Sequence, residues 1–125
     1  MILTLVAVMA CTMLVSCGGP NANPDKAVES LKDNDYVAEK IDSTLGLAFV
    51  SAFAGDVEAV VTGLSKDGKE AITIFYYEDA KAANEAWDDV KEHMEKEKDD
   101  ETKIVIKKSG KMIYAGTEAA IKAAK

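Results

Sequence analysis

The chain predicts an α+β fold, a single, mostly antiparallel sheet of four to five strands with helices packed on one face. Three observations carry this. Two hairpins are written into the sequence, one around Asp67-Gly68 and one around Ser109-Gly110, each flanked by β-branched or alternating runs. The segment from about Asp79 to Lys98 places Ala80, Ala83, Trp87, Val90 and Met94 at spacings of three, four, three and four, the stripe of an amphipathic helix. Finally, a strand–turn–strand–helix order occurs from Val57 to about Lys98 and again from Lys103 to Lys125, suggesting two ββα units.

In chain order, Pro24-Asp25 opens a short helix with Ala27, Val28 and Leu31 on one side and Asn34 as its stop. Tyr36 to Ile41 alternates as a strand or continues as helix. Leu45, Ala48, Phe49 and Ala52 share a helical stripe that Gly55 ends. Val57 to Leu64 is β-branched and alternating. Lys69 to Tyr77 is apolar at both parities (Ile72, Ile74 and Tyr76 against Phe75 and Tyr77), the pattern of a central strand. Asp79 is placed to cap the long helix, with Glu85, Asp88, Asp89 and Glu92 turned to water. Lys103 to Lys107 and Lys111 to Ala115 form the second hairpin, and Thr117 caps an Ala-rich helix ending in Lys122 and Lys125.

The start of the chain is of another kind. Ile2 to Val15 contains no charge, Pro or Gly. A helix of that length spans about 21 Å at 1.5 Å per residue. That is short of the ~30 Å hydrocarbon core, so a cleavable export leader fits better than a stable span. It ends in Leu14-Val15-Ser16-Cys17 and is followed at once by Gly18-Gly19-Pro20. This tetrapeptide resembles the lipobox of bacterial lipoproteins. The resemblance implies cleavage between Ser16 and Cys17, a diacylglyceryl thioether on Cys17, and residence on the outer face of the cell membrane. Two acyl chains suit stable anchoring, at about 0.8 kcal/mol per buried CH₂. The leader departs from the usual pattern in one respect, since nothing basic precedes Ile2. The rest of the chain loosely resembles small uncharacterised lipoproteins of Gram-positive bacteria, which bring no activity to carry over. The expected organisation is therefore a signal peptide over 1–16, a lipidated cysteine and flexible tether over 17–24, and one domain over 25–125.

Composition narrows the function classes. Cys11 falls in the leader, so the mature chain would hold Cys17 alone, with no internal disulfide and no thiolate metal site. All fifteen basic residues are Lys, and the net charge is −7. An acidic chain without Arg's bidentate fork is a poor match to nucleic acid. Glu78 to Glu101 holds eleven acids against four Lys, whereas Thr102 to Lys125 holds six Lys against Glu118. That segregation fits a solvated acidic helix followed by a strand-rich tail whose lysines face water, and its functional alternative is a domain turning its lysine-rich end toward anionic lipid.

Catalytic signals are sparse. His93 is the single histidine and has no ligand set or nucleophile around it in sequence. Asp33-Asn34-Asp35 and Asp99-Asp100-Glu101 lack the spacing and glycine of an EF-hand loop. No catalytic residue, metal site or cofactor is therefore expected. Tyr36, Tyr76, Tyr77 and Tyr114 form the candidate binding surface if one sheet face lies open, although alternating aromatics in strands more often belong to the core. The leading expectation is a non-catalytic, lipid-anchored extracytoplasmic domain whose partners are the membrane, through its anchor, and an envelope protein or cell-wall component. Alternatives are a small-ligand-binding accessory subunit of a transport system and, further off, an envelope enzyme.

Overall fold

The run with apolar residues at both parities becomes the centre of a five-stranded, wholly antiparallel sheet. The computed structural model describes residues 19–97 and 103–125. Their elements are α1 (Pro24–Asp33), β1 (Tyr36–Ile41), α2 (Thr44–Ala54), β2 (Val57–Ser65), β3 (Ala71–Tyr77), α3 (Ala80–Glu97), β4 (Val105–Ser109), β5 (Met112–Gly116) and α4 (Glu118–Ala123). The strand order is β1-β2-β3-β5-β4. The α+β class and the single antiparallel sheet are as the sequence predicts, and Tyr36–Ile41 resolves as strand.

The local chemistry that sets these elements is simple. Asn23 caps α1 by accepting from the Asp25 and Lys26 amides at 2.9 and 3.2 Å, with Pro24 in the first turn where its missing N–H costs nothing. Asp79 does the same for α3, its Oδ1 accepting from Ala82 N at 2.8 Å. Ser43 and Thr117 cap α2 and α4. Lys40 ties β1 to its neighbours, 2.7 Å from Asp25 and 3.3 Å from Asp42. The β2–β3 connection is longer than the two-residue hairpin predicted from Asp67-Gly68. Ser65 N donates to Glu70 O at 2.9 Å, so four residues form the loop, and Asp67 Oδ1 accepts from Ser65 Oγ and Lys69 N within it. These donors, the Ser65 hydroxyl foremost, hold the Asp67 carboxyl below its usual range. Gly68 takes the positive φ (75°) that the loop requires.

The helices differ from expectation. They cover both faces of the sheet, not one. On one face α1 and α4 pack over Ala38, Ala59, Val61, Ile72, Ile74, Tyr76, Met112 and Tyr114. On the other, α2 and α3 pack over Val57, Val60, Phe75, Tyr77 and Ile113. The reason lies in β3 and its neighbours, where residues of both parities are large and apolar. A face carrying Phe75 and Tyr77 needs a cover as much as one carrying Ile72, Ile74 and Tyr76. The ββα order does occur twice, as β2-β3-α3 and β4-β5-α4, yet α3 and α4 lie on opposite faces. A two-fold axis between the antiparallel neighbours β3 and β5 would keep both helices on one side. The repeat is therefore one of chain order and not of spatial symmetry.

The segment expected as flexible linker is also ordered from Gly19 onward. Asn21 N donates to Ala124 O at 2.9 Å, Asn21 Nδ2 to Lys125 O at 3.2 Å, and Tyr76 Oη to Asn21 O at 2.7 Å. Pro20 is buried. Gly19 lies so close to the Tyr114 ring that a Cβ there would come within 2.8 Å of it. Residues 19–23 thus form a strap across the α1/α4 face.

Candidate functional site

The tyrosines do not make a common surface. Tyr76, Tyr77 and Tyr114 are core residues, about 98–99% removed from solvent. Tyr36 is half-buried against the α1/α4 cluster. The expected open aromatic face fails because both faces are roofed, and adjacent tyrosines on β3 point into opposite cores. Their hydroxyls are used structurally. Tyr76 holds the strap, and Tyr77 donates to Ala54 O, the last carbonyl of α2, at 2.6 Å. Burial pushes both phenols well above the usual value. Ser16 and Cys17, the proposed cleavage and lipidation residues, lie outside the described residues, as do Lys98 and Asp99-Asp100-Glu101.

Two surfaces remain. The first surrounds the strap. Lys107, Lys122 and Lys125 line a shallow depression with Tyr114, Val105, Glu118 and Ile121. Tyr114 is the ring on which Gly19 rests, so the start of the ordered chain and this lysine cluster share one side chain as neighbour. A second groove, bounded by β3, β4 and the start of α4, carries Lys69, Lys103 and Lys122 with Glu70 and Glu118.

The second surface is on the opposite side of the sheet. From Thr44 to Ala54, α2 carries no charged residue. Its inner face supplies Leu47, Val50, Phe53 and Ala54 to the core. Its outer face presents Leu45, Ala48, Phe49 and Ala52 to solvent, with Leu45 and Phe49 75% and 78% exposed. The stripe picked out by its helical spacing is thus the outward one. A helix apolar all round has two such stripes, and periodicity cannot choose between them. The missing charge over eleven residues was the available sign of a second apolar face.

Beside this ridge, the seam between α2 and α3 is lined with Phe53, Asp56, Glu85 and Asp89 at one end. At the other it carries Ala52, Asp89, Glu92, His93 and Lys96. His93 is half-buried and stacks on Phe53, with ring centroids 3.8 Å apart and planes 12° apart, while Phe53 meets Phe75 edge-on at 5.8 Å. The histidine is a packing element of the seam. Lys96 pairs with Glu92 at 3.1 Å. On the outer edge of α3, Trp87 has the ammonium groups of Lys91 and Lys108 each 5.8 Å from its ring centre, and Lys108 donates to Asn84. Among the described residues, no group of three or more His, Cys, Asp or Glu side chains is arranged to hold a metal, and no helix is long and apolar enough to cross a membrane. The chain was compared with protein-family models, with curated proteins and with solved structures, and matched none of them.

Proposed function

We propose that this chain is a lipid-anchored extracytoplasmic protein, held to the membrane through Cys17, whose domain binds an envelope protein or cell-wall component without catalysing a reaction on it. The single observation that carries the reading is the junction of leader and domain. An apolar, uncharged run ends in Leu14-Val15-Ser16-Cys17, and the chain is strapped to the fold two residues later. From Cys17 to Gly19 the chain reaches only about 7 Å. A lipid on Cys17 would therefore hold the α4 side of the domain against the bilayer. The side it would turn to the headgroups is that of Lys107, Lys122 and Lys125, each contributing about 1 kcal/mol near an anionic surface.

The test follows from the anchor. Cys17→Ala should move the protein out of the membrane fraction, and globomycin should cause the unprocessed precursor to accumulate. Intact-mass measurement of the native protein should show a diacylated N-terminal cysteine. An unmodified thiol with residues 1–16 still attached would overturn the reading.

A further inference from the structure

We infer that the outer ridge of α2 and the acidic wall of α3 together dock a cationic amphipathic helix of a partner protein. The inference names a partner class for the binding role proposed above. Leu45, Ala48, Phe49 and Ala52 sit at spacings of three, one and three, covering about two turns of one helix face. An apolar strip of that pitch matches the stripe of a second helix laid beside it. The ridge is held in place from below. The Phe53–His93 stack locks α2 to α3, and the Tyr77–Ala54 hydrogen bond fixes its C-terminal end to the sheet.

Charge selects the occupant. At the C-terminal end of the ridge, Ala52 shares the seam with Asp89 and Glu92, Asp56 and Glu85 continue it, and the cation beside them among the described residues, Lys96, is already paired with Glu92. A helix with Leu-type residues on one stripe and Lys or Arg on its flanks would satisfy both the ridge and the wall. A second copy of this chain fits worse, because a two-fold contact through α2 would bring one acidic wall against another. An anionic bilayer fits worse for the same reason. It would also have to reach α2 on the face of the sheet opposite the strap, a full sheet layer away.

The test uses the full chain in zwitterionic nanodiscs, with empty nanodiscs as the blank. The probes are two labelled synthetic helices. Both carry Leu at i, i+3, i+4 and i+7, one with Lys on the flanks and its twin with Glu. The Lys peptide should bind at least tenfold more tightly than the Glu peptide, and added salt should narrow the gap. Phe49→Glu and Asp89→Lys should each weaken the Lys peptide at least tenfold. Leu45→Glu repeats the measurement at a second exposed position, and an unchanged unfolding curve followed by Trp87 fluorescence establishes that each variant is folded. Equal binding of the twins, or binding unaffected by both Phe49→Glu and Leu45→Glu, would overturn the inference. So would sedimentation showing that Phe49→Glu dissociates a dimer, or flotation showing that it abolishes attachment to anionic vesicles. Peptide binding and fractionation are separate readouts. A chain that binds the Lys peptide yet never reaches the membrane fraction would uphold the docking surface and sink the anchor.

Discussion

Replacing Tyr77 with Phe removes one oxygen from the centre of the molecule and leaves the ring in place. In the folded protein Tyr77 is 1% exposed, and its hydroxyl donates at 2.6 Å to Ala54 O, on a residue that is itself fully buried. That carbonyl lies in the last turn of α2, where intrahelical donors have run out. Without the phenol it has no other protein donor among the described residues, on a backbone that is closed to solvent in the folded protein. The cost is the desolvation penalty of an unmatched buried acceptor, about 1–3 kcal/mol, with little lost from packing. Taking about 2 kcal/mol and a urea slope of about 1.5 kcal/mol/M, the midpoint should fall by roughly 1.3 M at unchanged slope. Trp87, the single tryptophan, is half-buried on α3 and reports the transition by fluorescence. Tyr36→Phe is the control, because that hydroxyl makes no hydrogen bond among the described residues, and its effect should stay within about 0.5 kcal/mol. A Tyr77→Phe midpoint within 0.2 M of wild type would refute the claim that this bond secures α2 to the sheet. So would a Tyr36→Phe effect of equal size.

Tyr76→Phe tests the other face. It frees Asn21 O, should cost about 0.5–1.5 kcal/mol, and should speed hydrogen exchange of the Asn21 amide while leaving α2 unaffected. Alkaline titration should show Tyr76 and Tyr77 resisting ionisation. Both are raised, so the unfolded chain loses these protons near pH 10 while the folded chain keeps them. The contribution of these two groups is then level below about pH 10 and falls as the pH rises above it, with phenolate absorbance from the two residues appearing together with unfolding. Gly116→Ala should destabilise by about 1–3 kcal/mol in the same urea assay. Its Cβ would stand 2.7 Å from Ala71 O, a backbone atom that cannot retreat because it accepts from Thr117 N at 3.0 Å.

Much of the architecture could be read before any coordinates. The stripe of α3 was legible because charge fills its opposite side, and Ala83 and Val90 are indeed completely buried. The β4–β5 turn was legible because Gly110 supplies a positive φ of 59° between alternating strands. The doubly apolar pattern of β3 marks the centre of the sheet, and the same pattern demands a roof on each face. Tyr76 and Tyr77 show what the sequence leaves open. An aromatic residue on a strand reads alike whether it faces solvent or core, and only the position of α2 and of the strap decides it. The strap itself was invisible, since Gly19, Pro20, Asn21 and Asn23 have linker composition. Their order comes from contacts with Ala124 and Lys125, about a hundred positions further along.

The strap also determines how the molecule answers a pull. Tension arriving from upstream of Gly19 is borne first by the three hydrogen bonds that tie Asn21 to Tyr76, Ala124 and Lys125, then by α1, and only afterwards by edge strand β1. Residues 19–34 extended to about 3.3–3.6 Å each would pay out roughly 55 Å of chain before any sheet bond is loaded. With Ala27 and Leu31 both completely buried, α1 resists that release, so the link is short at rest and lengthens only under force, leaving the ridge of α2 intact at its far end.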